Sequence, residues 1–198
     1  MTLNRNLGGG LLACWPTPVY TRIHDATNVN AELRSLIMRR SENESGIVTS
    51  NLGAWQSEPD LLTDPAPSIR RITSWIDEAT STLVKITTPL GADAGEFGER
   101  RAEAWAVRYR QFDSQSLHVH PGSAWSGVYY VHATPDSGVL ELLDPRLGYR
   151  SRGNPCTYRV IPSSGLLVAF PSWLEHRVLP HRVSEVRICI AFNVGYRL

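Results

Sequence analysis

The clearest pattern in the chain is the alternation that closes it, with Ile188, Ile190, Phe192 and Val194 on one side and Arg187, Cys189, Ala191 and Asn193 on the other. A period of two belongs to a β-strand with one apolar face and one small, polar face. The apolar face predicts packing beneath helices. The other face then sends Arg187 into the space between two sheets, where small neighbours leave room for a ligand. Six further runs of strand character precede it: Ala104 to Phe112, Ser116 to His120, Trp125 to His132, Val139 to Leu143, Thr157 to Ile161 and Leu166 to Phe170. Pro-Asp, Asp-Pro and Ser-Ser-Gly sequences punctuate them. Short strands between turn signals at this spacing predict an antiparallel sandwich or jelly roll.

Before residue 100 the period lengthens. Asn28 to Arg40 carries Leu33, Ile37 and Met38 at helical spacing. Pro67 to Thr88 carries Ile69, Ile72, Trp75, Ile76, Ala79, Leu83 and Val84 in the same way. Between the two helices, Gly46 to Asp64 is polar and reads as a surface loop that could serve as a lid. Its Ser57-Glu58-Pro59-Asp60 sequence is placed to cap a short turn of helix at Leu61-Leu62. The expected class is mainly β with N-terminal helices (α+β), a jelly roll with helices packed on one outer face. All 198 residues form one domain, about 1–100 as helical support and loops and about 101–198 as the jelly-roll core.

Composition narrows the partners. A formal net charge of +1 and scattered arginines give no stripe for a polyanion, so nucleic acid is not an expected partner. Nowhere do the roughly 18 consecutive apolar residues of a membrane span occur, and the apolar patch Leu11-Leu12-Ala13-Cys14-Trp15 is broken at once by Pro16 and Pro18. Cys14, Cys156 and Cys189 are odd in number and unpatterned, which predicts reduced thiols and a cytoplasmic location. The expected partner is a small-molecule substrate, without a membrane, and a homodimer is left open.

The candidate chemistry lies in Leu117-His118-Val119-His120-Pro121-Gly122-Ser123 and, far downstream, in Phe170-Pro171-Ser172-Trp173-Leu174-Glu175-His176. Residues two apart in a strand share a face with Cα atoms roughly 6.6 Å apart, so the imidazoles of His118 and His120 can converge on one ion, with His176 as a third ligand brought by folding. A His-x-His pair alone on a strand is more often a solvent-facing polar pair. Arg187, buried in a cavity, calls for an anionic partner; Glu185 or Glu141 could supply one, and so could a ligand carboxylate. His132 and His181 sit beside turn signals and are assigned to the surface. Asp144, before Pro145, is expected to cap a turn and is the first alternative ligand should His120 bind no metal.

The motifs His118-Val119-His120-Pro121-Gly122-Ser123, Ser126-Gly127-Val128-Tyr129-Tyr130-Val131, Ser137-Gly138-Val139-Leu140 with Asp144-Pro145-Arg146, Phe170 to His176 and Arg187 to Asn193 occur in one order. Their set resembles the Fe(II)/2-oxoglutarate oxygenases of the double-stranded β-helix superfamily, over about residues 100 to 198. The resemblance implies Fe(II) on His118, His120 and His176, and 2-oxoglutarate and O2 as co-substrates, with the oxoglutarate C5 carboxylate on Arg187 and a phenol of Tyr129 or Tyr109 beside it. Trp125, Trp173 and Tyr130 would wall the pocket. The implied reaction is oxidation of a C–H bond of a small molecule, such as an amino acid or a natural-product intermediate, with release of succinate and CO2; hydroxylation, desaturation and ring formation all fit. Two departures stand out. His120 takes the place of the superfamily's usual carboxylate, which leaves the ion its full charge, and Cys189 stands where Arg-x-Ser is common. A three-histidine enzyme without oxoglutarate (a cupin-like dioxygenase or a zinc hydrolase or lyase) and a non-catalytic jelly-roll binding module are the alternatives.

Overall fold

A computed structural model describes residues 16–87, 98–146 and 156–197. The apolar patch containing Cys14 lies outside the described residues. Two helices, α1 (Thr27–Asn43) and α2 (Pro67–Thr87), accompany eleven strands: β1 (Tyr20–Ile23), β2 (Asn51–Leu52), β3 (Trp55–Gln56), β4 (Glu99–Tyr109), β5 (Ser114–His118), β6 (Trp125–His132), β7 (Leu140–Leu143), β8 (Thr157–Val160), β9 (Leu166–Pro171), β10 (His176–Val178) and β11 (Arg187–Arg197). The strands form two antiparallel sheets, one of six in the order β1-β9-β6-β11-β4-β3 and one of five in the order β2-β5-β10-β7-β8. This is the jelly roll predicted from the strand spacing.

The alternation along β11 decides the layering. Ile188, Ile190, Phe192 and Val194 join Leu33 and Ile37 of α1 and Ile69, Ile72 and Ile76 of α2 in a core on the outer face of the six-stranded sheet. Pro67 opens α2, where its missing N–H would have no partner in any case. Each fully buried isoleucine of α2 contributes about 1.5–3 kcal/mol relative to exposure. The opposite face of the sheet supplies Val107, Tyr109, Tyr130, Val168, Phe170 and Cys189 to a second core against the five-stranded sheet. The helices brace one side of the larger sheet, and its other side is free to form a cavity.

The segment 46–64 departs from the loop expected of it. Asn51 and Leu52 pair with Gln115 and Ser114 at the edge of the five-stranded sheet, and Trp55 and Gln56 pair with Arg108 and Val107 at the edge of the six-stranded one. It is therefore a wall joining the two sheets at one edge. Trp55 Nε1 donates to the Glu44 carbonyl at 2.9 Å, which ties this wall to the end of α1. A short 3-10 turn does follow at Leu61–Thr63, but Asp60 makes no side-chain capping bond there. His181 also departs from its surface assignment. It is fully buried, and its backbone exchanges hydrogen bonds with Phe112 and Asp113, pinning the loop before β11 to the β4–β5 turn.

Candidate active site

His118 ends β5 and His176 begins β10, and the two are direct cross-strand partners. His120 follows β5 by two residues in the sequence His120-Pro121-Gly122-Ser123. Gly122 has φ +89°, and Ser123 N–H donates back to the His120 carbonyl at 3.4 Å. Proline second and a left-handed glycine third make this a type II turn, which explains the Pro-Gly after the second histidine. The His120 N–H donates to the Ser172 carbonyl at 3.0 Å, and Ser172 N–H to that of Ala124, so Ser172, directly after β9, holds the turn in place.

The three rings converge. Their centroids lie 4.2 Å (His118–His176), 5.0 Å (His118–His120) and 5.2 Å (His120–His176) apart, and one nitrogen of each falls within 4.8 Å of the others. Nδ1 of His118 faces the Ser116 carbonyl at 2.7 Å and Nδ1 of His176 that of Leu174 at 2.8 Å. Facing an acceptor, each Nδ1 carries its proton and leaves the Nε2 lone pair for a metal. Burial, joined by the other imidazoles, lowers the pKa of His120 to about 4 and of His176 to about 3, and burial also lowers that of His118. All three are neutral donors at pH 7.

These depressions carry a stability consequence. The folded state resists protonation that the unfolded rings accept near their ordinary 6.5, so stability present above pH 6.5 is lost as pH falls toward 4. Urea unfolding of the metal-free protein is expected to give a lower unfolding free energy at pH 5 than at pH 7, with His176→Gln flattening the difference. A wild-type profile flat between those values would mean that the rings are solvated.

Arg187 lies in the same cavity as the three histidines. Its side chain is 1% exposed. Nε donates to Cys189 Sγ at 3.0 Å, and Nη1 to the carbonyls of Ser137 (3.2 Å) and Gly138 (2.8 Å). Gly138 has φ +87°, and a Cβ there would sit 3.1 Å from Nη1 and 2.8 Å from the Leu179 carbonyl, so glycine is required for this close approach. The guanidinium stacks over Tyr109 at 4.5 Å and Tyr130 at 5.0 Å. Neither predicted carboxylate partner reaches it: Glu141 bridges Arg159 and Arg177, and Glu185 holds His132 at 2.7 Å. Among the described residues no acid lines the cavity. Asp144 makes the turn expected of it, accepting from the Arg146 N–H at 2.9 Å, and stands outside the histidine cluster.

The tyrosines correct the sequence reading. Tyr129 points to the helix side, where its hydroxyl donates to Asn30 Oδ1 at 2.7 Å and its ring packs against Trp75 at 5.4 Å. The pleat of β6 sends the next residue the other way, so Tyr130 takes the place beside Arg187 that was expected of Tyr129. Its hydroxyl is buried without a partner. Tyr109 does reach the cavity, where its hydroxyl engages Gln115 and burial pushes its pKa up to about 12, keeping it a donor. Trp125 belongs to the helix-side core and Trp173 is 55% exposed, so neither walls the pocket. Thr49, Ser50 and Gln56 line it instead. Their backbone pairings were hidden in a polar stretch too short to show a period.

Tyr129 and Tyr130 should behave oppositely on losing a hydroxyl. Tyr129→Phe strands the Asn30 side chain and is expected to lower stability by about 1 kcal/mol. Tyr130→Phe removes an unsatisfied polar atom, so the unliganded protein should be as stable as wild type or more so. Thermal denaturation of both variants checks this ordering, and a destabilised Tyr130→Phe would show that its hydroxyl is satisfied in the unliganded protein.

An unpaired guanidinium and three neutral imidazoles in one acid-free cavity, with the orphaned Tyr130 phenol packed beside that guanidinium, suit a divalent cation together with a dianion. The donor set fits ferrous iron and a keto diacid. Residues 103–193 match the family model described as "Putative 2OG-Fe(II) oxygenase". No curated protein matches the chain. Among solved structures, a prolyl-4-hydroxylase from Pseudomonas putida is similar at a TM-score of 0.66 and 17% identity, over 92% of this chain and 94% of that one. HygX from Streptomyces hygroscopicus, with nickel, 2-oxoglutarate and hygromycin B bound, is similar at 0.61 and 15%, over 92% and 84%. The non-heme alpha-ketoglutarate-dependent epimerase SnoN from nogalamycin biosynthesis is similar at 0.66 and 11%, over 92% and 79%. The matched segment contains His118, His120, His176 and Arg187, and the chain shares its fold with these 2-oxoglutarate oxygenase structures.

Proposed function

We propose that His118, His120 and His176 hold Fe(II), that Arg187 with Tyr130 and Tyr109 holds 2-oxoglutarate, and that the enzyme oxidises a C–H bond of a small molecule such as an amino acid or natural-product intermediate. The observation that carries the oxoglutarate assignment is Arg187, a fully buried guanidinium without a carboxylate partner in the cavity that holds the histidine cluster. A hydrolase or lyase built on three histidines would leave that charge without a use. Bound iron and oxoglutarate supply the coupling of keto-acid decarboxylation, giving succinate and CO2, to oxidation of the substrate by O2.

The chain's own residues bind and orient. The fork of Arg187 matches a carboxylate, and its Nε contact with Cys189 and Nη1 contacts with two carbonyls fix the plane of that fork. The Tyr130 hydroxyl is an unused donor beside it. Phe170 packs edge-on to His176 at 4.8 Å and keeps water from that ring. Among the described residues no helix is long and apolar enough to cross a membrane.

The test is anaerobic addition of Fe(II) and 2-oxoglutarate to the purified protein, followed by visible absorption. A weak charge-transfer band requiring both components is expected. Tight iron binding without that band on adding the keto acid would overturn the oxoglutarate assignment and leave the three-histidine metal site standing.

A further inference from the structure

The row of residues that crosses the six-stranded sheet at Asn193 sets a different condition on His120 than on the other two histidines. Asn193 pairs across the sheet with Glu103 on one side and Ser126 on the other. Its Oδ1 accepts from Ser126 Oγ at 2.7 Å, and its Nδ2 donates to Glu103 Oε1 at 3.0 Å. A carboxylate only accepts, so Glu103 decides which end of the amide faces it. The same Nδ2 stands 3.4 Å from His120 Nδ1.

An amide nitrogen only donates, so Nδ1 of the neutral His120 ring presents its lone pair to Asn193 and carries its proton on Nε2. His118 and His176 are arranged the other way, each with Nδ1 against a carbonyl oxygen. A metal-bound histidine ordinarily donates its second N–H to an acceptor, which fixes the tautomer and raises ligand basicity. Two members of the cluster meet that condition and the third is held in the opposite tautomer.

We propose that Asn193, oriented by Glu103 and Ser126, is a positioning residue that keeps the proton of His120 on Nε2, so that His120 ligates a metal through that nitrogen only when the Asn193 amide turns over. When it turns, the His120 proton leaves Nε2 through solvent, Nδ1 is reprotonated, and Asn193 Oδ1 accepts from it. Ser126 Oγ can accept from the relocated amide nitrogen, because a hydroxyl serves either way. Glu103 cannot adapt and is left facing an oxygen. It therefore opposes the turn and holds the third ligand back. This inference rests on the three-histidine reading of the site.

Glu103 is exposed, which makes Glu103→Gln a variant that keeps the fold. A glutamine amide can donate to the turned Asn193 oxygen, so the opposition disappears. Imidazole nitrogen shifts of the 15N-labelled, metal-free protein at pH 8 are expected to show Nδ1–H at His118 and His176 and Nε2–H at His120. In Glu103→Gln the His120 resonances should move toward Nδ1–H, and Co(II) affinity by calorimetry should rise on the order of tenfold. Asn193→Ala, which removes the imposed donor, should likewise release the His120 tautomer. An Nδ1–H tautomer at His120 in the wild-type protein overturns the proposal. So does a Glu103→Gln protein with unchanged tautomer, or with a moved tautomer and unchanged Co(II) affinity. Failure of the wild-type protein to bind Co(II) at all would instead overturn the three-histidine reading, since the tautomers are read without metal.

Discussion

His118→Ala and His176→Ala are each expected to weaken Fe(II) binding by more than about 100-fold, because losing a partner one bond further from the metal already costs 10–100-fold. The two residues face each other across the β5–β10 ladder, with Nδ1 of each fixed by a carbonyl oxygen two residues away. Their positions are thus set by backbone hydrogen bonds, and no neighbouring side chain can move in to replace a missing ring. Removing either leaves an ion with at most two imidazoles and otherwise solvent. His118→Ala is the cleaner test, since His118 is the more exposed of the two and its loss opens less of the core. Anaerobic Fe(II) titration reads the affinity, and circular dichroism confirms that the fold persists. His120→Asp, which restores the superfamily's usual ligand, should retain iron. Wild-type affinity in either alanine variant would remove the triad as the metal site.

How far the site can be read from the sequence follows from where periodicity is strong. The alternation along β11 faces Arg187, Cys189 and Ala191 into the cavity and places Ile188 to Val194 under the helices as expected, because a strand with one apolar face has only one stable way to sit between layers. The same alternation had already put Asn193 on the cavity side, although only the cross-strand row with Glu103 and Ser126 gives it a role. Tyr129 and Tyr130 show the limit. Adjacent aromatic residues in a strand buried on both faces carry no signal of which one faces the pocket, and the structure resolves it through the Asn30 bond on the helix side. Strands as short as β2, β3 and β10 leave no pattern at all, since two or three residues cannot display a period. Their existence depends on the edges that receive them.

Arg187→Lys is expected to weaken 2-oxoglutarate binding by about 2–5 kcal/mol, the cost of breaking a buried, hydrogen-bonded charge pair, which corresponds to roughly 30-fold to several-thousand-fold in Kd. Lysine keeps the charge but loses the planar fork, and with it the simultaneous bonds to Cys189 Sγ and the carbonyls of Ser137 and Gly138 that orient the guanidinium. It is the better probe than alanine, which would also leave a void between Tyr109 and Tyr130 and two carbonyls without their donor. Iron binding should survive, because the ligand nitrogens gathered within 4.8 Å of one another come from His118, His120 and His176, and Arg187 supplies none of them. The measurement is anaerobic titration of 2-oxoglutarate into the metal-loaded variant and wild type, with Fe(II) affinity determined separately. A lysine variant that binds the keto acid as wild type does would show that the C5 carboxylate lies elsewhere. The buried guanidinium would then be a structural cation held by two carbonyls, one sulfur and two aromatic faces.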